Sequence, residues 1–375
     1  MRTLNIALQG GGSHGAFTWG VLDALLEDGR VAIEGLSGAS AGALNAVALA
    51  SGYAKGAADP RQAARDSLAR IWGQISDWGA LGSMQQKLAS MLWGGFSNEL
   101  APANMMIAAW RNLLSPAQLN PLDINPLRDL LEREIDFAAI ARHPQLKVFV
   151  SATHVNTGRA VIFTGERLTA QAVMASACLP QLFRAVEIDG ESYWDGGYAV
   201  NPPLTPLIDS CASRDLMLVQ INPLKRDSAP QSNAEILDRI SELTFNASLL
   251  TQMRSIDFIN RLIEEGALAQ GRCKHVLLHR VDGGEAMAAY PASSRTSTDA
   301  AIIRTLFELG RKSGAHWLAH HVDDIGQRST IDVRRDYLDD TREDVAAAEG
   351  KLPTARGFTP WLAQLFKRRR AGRDR

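Results

Sequence analysis

Cysteine is scarce in this chain of 375 residues, and long apolar runs are missing. Its three cysteines, Cys178, Cys211 and Cys273, are odd in number and far apart. That argues against a disulfide framework and fits reduced thiols in the cytoplasm. None belongs to a C-x-x-C pair, so no metal is expected. Nowhere do about 18 largely apolar residues run without a charge or a glycine break, so no membrane-spanning helix is expected. The first apolar stretch, Leu4 to Leu8, is too short for a signal-peptide core and runs into glycines. Charge of one sign is lacking too. A net charge of -1 supplies no global field for nucleic acid. The balance is uneven, however, because residues 367–375 carry +5 and residues 1–366 carry -6.

What is present is a pair of glycine clusters near the start. Gly38-Ala39-Ser40-Ala41-Gly42 has the G-x-S-x-G form that puts a serine on a sharp strand-to-helix turn. Val31 to Leu36 reads as the strand before it, and the small apolar residues from Ala41 to Ser51 read as the helix after it. Ahead of this lies Gly10-Gly11-Gly12-Ser13-His14-Gly15, between the strand Leu4–Leu8 and a helix over Ala16–Leu26. Successive glycine N–H groups at a helix start suit negative charge, and acyl transfer needs such donors for its oxyanion. The two clusters together point to a serine hydrolase.

Strands and helices alternate, which predicts a mainly parallel sheet with helices on both faces. Further strands are expected at Lys147–Thr153, Ala160–Phe163, Ser192–Trp194, Leu216–Ile221 and Val276–Leu278. Helices are expected at 125–134, 170–177, 232–270 and 298–321. The 46% of apolar residues is ample for a buried core. Residues 55–120 carry Trp72, Trp78, Trp93 and Trp110, with Met84, Met91, Met105 and Met106, and Gly79 and Gly82 interrupt their helical pattern. They read as a helical insertion, either a small aromatic core or a lid over an apolar ligand. The expected organisation is a core over 1–225, an extension packed on it over 226–322, and an acidic then basic tail over 323–375.

A serine nucleophile needs a base, and none of the eight histidines sits in a triad setting. Asp195-Gly196-Gly197 stands out instead, since a carboxylate in a dry cleft becomes a better base. The order Gly10-Gly11-Gly12-x-x-Gly15, Gly38-x-Ser40-x-Gly42, Asp195-Gly196-Gly197 resembles the patatin-like phospholipase family. Ala175-Ser176-Ala177-Cys178-Leu179-Pro180 and Asn201-Pro202-Pro203 add to the likeness, which spans about residues 4–222. The resemblance implies a three-layer α/β fold and hydrolysis of lipid esters by a Ser–Asp dyad, without metal or organic cofactor. Carried over, Ser40 attacks and Asp195 is the base. The N–H groups of Gly10, Gly11, Gly12 and Ala41 would hold the oxyanion, while Gly38, Gly42, Gly196 and Gly197 shape the turns. The family's Arg or Lys in the glycine loop is replaced here by His14, beside Gly15, which either alters head-group contact or hydrogen-bonds the loop.

Two rival readings remain. Gly10-x-Gly12-x-x-Gly15 with Glu34 some 20 residues on fits a dinucleotide-binding oxidoreductase, although Ser40 and Asp195 then have no role. A catalytically idle lipid-binding protein is the other. His316, His320 and His321 lie at helical spacing and read as a helix face rather than as metal ligands. Trp361 to Phe366 followed by Lys367-Arg368-Arg369-Arg370 resembles an interfacial anchor for anionic membrane. The expected partner is thus a lipid ester, with peripheral membrane contact through the tail and no nucleic acid.

Overall fold

The computed structural model describes residues 1–56, 58–92, 125–180, 182–268 and 271–338. Contacts divide the chain into Met1–Asp332 and a second unit from Val333, whose described part is a π-helical turn over Arg334–Leu338.

The described strands of the first unit form one sheet of eight: β1 (Arg2–Leu8), β2 (Val31–Gly38), β3 (Lys147–His154), β4 (Ala160–Phe163), β5 (Val186–Ile188), β6 (Glu191–Asp195), β7 (Asp215–Gln220) and β8 (Leu277–Asp282). Their order is β5-β6-β3-β2-β1-β7-β8, with β4 on β3. The run β3-β2-β1-β7-β8 is parallel, and the β4, β5 and β6 pairings are antiparallel. Central β1 buries Leu4, Ile6, Ala7 and Leu8 completely. Such a strand is covered on both faces and so reads as a continuous apolar run. The expected strands are all present; β5, with three residues, is too short to leave a periodic signal.

Helices cover this sheet: α1 (Gly15–Asp28), α2 (Ala41–Lys55), α3 (Pro60–Leu92), α4 (Pro126–Glu134), α5 (Phe137–Arg142), α6 (Ala170–Ser176), α7 (Thr205–Ser210), α8 (Asn233–Glu264), α9 (Gly284–Ala288) and α10 (Ala300–His321). Local chemistry sets several starts. Asn125 caps α4 through the Leu127 N–H, with Pro126 at the first helical position. Ser232 and Glu235 form a reciprocal capping box on α8.

α3 runs on through Gly79 and Gly82, where the sequence pattern suggested interruption. A glycine in a helix costs roughly 1 kcal/mol, which packing of the first turns offsets. Ala64, Leu68, Ile71 and Trp72 are buried there, and the Trp72 indole donates to Asn45 Oδ1 at 2.9 Å. Trp72 is therefore a core residue. Trp93, Met105, Met106 and Trp110 lie outside the described residues, as do Trp361–Phe366 and the basic tail.

Within the first unit, β8 and α10 are tied closely to the sheet and to α1. β8 extends the parallel sheet from β7. α10 lies on α1 at a reciprocal glycine contact: a Cβ on Gly20 would sit 2.0 Å from Phe307 O, and one on Gly310 would sit 2.0 Å from Phe17 O. Beside that contact, Asp23 of α1 takes Arg65 of α3 at 2.8 Å and Arg311 of α10. His316 and His320 share one face of α10, their rings 4.3 Å apart.

Gly310→Val forces two backbones apart. It should lower the melting temperature by several degrees, in keeping with the ~1–3 kcal/mol of overpacked cores. Calorimetry checks this, and an unchanged melt would contradict the contact.

Candidate active site

β2, an interior strand, delivers Ser40 just past its C-terminal end. The strand ends at Gly38, and Ser40 adopts φ 53 and ψ -124 as the residue that caps α2. A non-glycine residue in the left-handed region stores strain, and such residues cluster at functional sites. Strand and helix meet closely, since a Cβ on Gly38 would lie 2.4 Å from Gly42 C. The strained Ser40 is clamped by its own amide, which donates to Ser176 O at 3.1 Å and Ser176 Oγ at 2.9 Å.

Asp195 arrives along the same edge of β3 that β2 occupies, running the opposite way. One edge of β3 holds β4 from Val150 to Thr153. The other edge pairs with β2 as far as Val150 and with β6 from Ala152 onward. The end of β2 and the end of β6 therefore face one another across a single residue, Ser151. Gly196 lies against that residue, where a Cβ would approach Ser151 O to 2.1 Å. The Asp195 N–H donates to Cys178 O at 2.8 Å, and Thr153 Oγ1 donates to Asp195 O at 2.7 Å. Ser176 and Cys178, two residues apart, thus hold the backbones of Ser40 and Asp195 together.

The Asp195 side chain is fully buried. Its Oδ1 accepts the Gly197 N–H at 2.8 Å, and its Oδ2 has no hydrogen-bond partner among the described residues. Burial pushes the carboxyl up to about 7, against the opposing pull of the Gly197 N–H and the Ser40 hydroxyl.

The glycine loop is pinned by buried amides. Asn201 Oδ1 accepts the Gly10 N–H at 2.6 Å, and Asn222 Nδ2 donates to Gly10 O at 2.8 Å. Gln9 Oε1 takes the N–H groups of Ile221 and Asn222, while its Nε2 donates to Asn246 of α8. Gly10 thereby leaves the expected donor set, because its amide is committed to Asn201. The N–H groups of Gly11 and Gly12 have no acceptor among the described residues and border the same cavity as Ser40. Gly12 has φ 57, and Arg295 O would lie 2.1 Å from a Cβ there. Ala41 opens α2, whose first amides have no partner within the helix. Gly15 begins α1 and packs on Ala41 and Trp72.

Glu34 serves no ribose. Its carboxylate caps the chain at the N–H groups of Ala212 and Ser213, which removes the acid that the dinucleotide reading needs.

The family model of the patatin-like phospholipases matches residues 6–208. The chain belongs to that family. No curated protein matches it significantly. Among solved structures it is similar to VipD from Legionella pneumophila, at 14% identity over 92% of this chain and 74% of that one, with a TM-score of 0.40. It is also similar to the heterodimeric ExoU-SpcU complex of the Pseudomonas aeruginosa type III secretion system, at 17% identity over 93% of this chain and 60% of that one, with a TM-score of 0.36.

In this patatin-like chain Ser40 and Asp195 open into a cavity of about 430 Å³. Gly11 and Gly12 form its floor; Leu179, Leu182, Leu237, Ile240 and Phe245 are apolar walls, and Arg295 stands at one side. Leu182, Leu237 and Ile240 are 43%, 67% and 54% exposed, so the apolar lining continues onto the surface. A larger cavity of about 530 Å³, beside Trp78, Met174 and Phe183, contains neither Ser40 nor Asp195.

No histidine is among the described residues lining the Ser40 cavity. His14 is buried beside it with Nε2 2.7 Å from Ser294 Oγ, and burial, then Arg295, push its pKa down to about 3. It is neutral, and of the two expectations for this position it takes the hydrogen-bonding role, toward Ser294 rather than within its own loop. Gln9, Asn222, Asn246 and Arg295 make contacts that motif reading did not find. Ser176 and Asn201 did carry a signal, in the Ala175–Pro180 and Asn-Pro-Pro stretches. The α8 residues carried none, because a cavity wall on an amphipathic helix looks like any other apolar face.

A raised carboxyl pKa has a stability consequence. The unfolded value is 3.8 and the folded value about 7, so the folded chain holds the proton more tightly. That stabilisation is complete below the unfolded value and is lost as pH rises through the folded one. Asp195→Asn should therefore melt higher than wild type near pH 8, with the gap narrowing toward pH 5. Thermal melts across that range check it; a gap independent of pH would contradict the burial of a titrating carboxyl.

Proposed function

We propose that the protein is a serine acyl-hydrolase that cleaves lipid carboxyl esters through Ser40 and Asp195. The observation that carries this reading is one cavity holding a strained serine and a buried aspartate with a pKa near 7, beside the amides of Gly11 and Gly12. Patatin-like membership supports the lipid substrate, and so does the apolar rim of Leu182, Leu237 and Ile240.

In the first step Asp195 takes the Ser40 hydroxyl proton as the oxygen attacks the ester carbonyl. A carboxylate with a pKa near the working pH is a more effective base than an exposed one. The oxyanion develops against the N–H groups of Gly11, Gly12 and Ala41, and the start of α2 adds its positive dipole end. The tetrahedral adduct collapses, the leaving alkoxide takes the proton from Asp195, and an acyl ester remains on Ser40. Asp195 then draws a proton from water as its oxygen attacks the acyl carbonyl; the bond from that carbonyl to Ser40 Oγ breaks, Oγ takes the proton back from Asp195, and the carboxylic acid leaves.

An idle lipid-binding protein would share the cavity but not the reactivity. Wild type should label with a fluorophosphonate and hydrolyse p-nitrophenyl and lysophospholipid esters. Ser40→Ala should lose labelling, and Ser40→Ala and Asp195→Asn should each lose at least about a thousandfold in kcat, as dyad members act as a unit. Folded wild-type protein that neither labels nor turns over any ester would overturn the proposal. So would an Asp195→Asn variant with normal rates.

A further inference from the structure

We propose that Arg295 forms an anion subsite in the Ser40 cavity and selects acyl esters that bear a phosphoryl group near the scissile bond. The inference rests on Ser40 being the nucleophile of that cavity, and it names a specificity-determining residue, beyond the segment that the family model matches, for the phosphoryl group.

Arg295 comes from the short helical turn Ala292–Thr296, beyond the residues that the family model matches. Its backbone lies over Gly12, and its side chain reaches the α8 wall. There Nη1 donates to Ser241 Oγ at 3.0 Å, and the guanidinium carbon lies 5.7 Å from the centre of the Phe245 ring. Nε is buried and has no acceptor among the described residues.

A half-buried guanidinium whose Nε is shut off from water is ordinarily matched by a carboxylate. Arg295 makes no ion pair among the described residues. The acids nearest it in charge influence, Glu242 and Asp238, are spent elsewhere. Glu242 binds Arg226 and Arg239, and Asp238 Oδ2 accepts the Ser293 hydroxyl. Burial lowers the Arg295 pKa to about 10, which leaves it charged at neutral pH.

Arg295 is also the one cation among the described residues of the cavity lining. A guanidinium has five donors in a planar fork that matches phosphate oxygens, and four of these five are not used by Ser241. The surrounding Leu179, Leu237, Ile240 and Phe245 suit an alkyl chain rather than a free ion. An amphiphile with both parts satisfies the whole wall.

The test compares lysophosphatidate with the monoacylglycerol of the same acyl chain, two esters that differ by the phosphate. Wild type should favour lysophosphatidate in kcat/KM, and Arg295→Gln should reduce that preference by on the order of tenfold to a hundredfold. Arg295→Lys should keep part of it. Equal loss on both esters would overturn the subsite, as would an unchanged ratio. Dodecyl phosphate and dodecanol test wild type without any substitution: the phosphate should inhibit monoacylglycerol hydrolysis at concentrations where the alcohol does not, and equal potency would refute the proposal. Inorganic phosphate that inhibits as well as dodecyl phosphate would identify a free-phosphate site and overturn the substrate assignment. Calorimetry of dodecyl phosphate on Ser40→Ala, with and without Arg295→Gln, reads the subsite without turnover, so an unreactive Ser40 would not mask it.

Discussion

The edge of β3, where β2 leaves and β6 enters, is the constraint on which the site depends. Val150 still pairs with Gly38, while Ala152 already pairs with Asp195. Two chain segments separated by over 150 residues are thereby brought to one point by ladder hydrogen bonds rather than by side-chain contact. The Ser176–Cys178 segment then fixes both ends, taking the amide of Ser40 at one residue and that of Asp195 two residues later. Local strain at Ser40 persists because both sides of the turn are held by this framework.

The electrostatics follow from the same closeness. Asp195 reaches the end of its strand inside the protein, so desolvation, not a neighbouring charge, raises its pKa. The glycine loop contributes no compensating cation, since His14 is buried and neutral. Positive charge comes instead from Arg295, beyond the residues that define the family. The core thus carries the candidate chemistry, and α8 with the 292–296 turn completes the wall that a substrate would meet. That division explains why the later segment is bound so tightly to α1 and to β7.

Much of this was legible from residue order. Glycines at 38 and 42 around Ser40 imply a turn with no room for side chains, and the two glycines after Asp195 imply the close backbone approach that Gly196 makes to Ser151. The apolar run Ala160–Phe163 is bracketed by the turn residues Asn156-Thr157-Gly158 and Gly165, and its bounds coincide with those of β4. α3 was harder to read, since glycines at 79 and 82 suggest breaks that tertiary packing overrides. The committed Gly10 amide and the pinning by Gln9, Asn222 and Asn246 depend on long-range contacts that leave no local pattern. Arg295 was invisible for the same reason: nothing in its neighbours distinguishes a cavity cation from a surface one.

The pH dependence of kcat/KM on a neutral ester tests the central claim most directly, because it reads the base in the free enzyme. If Asp195 is that base, activity rises with pH along a single acid limb whose midpoint lies near its pKa of about 7. A limb centred near the ordinary aspartate value of 3.8, or a flat profile through neutrality, would contradict a desolvated Asp195 as the group that activates Ser40.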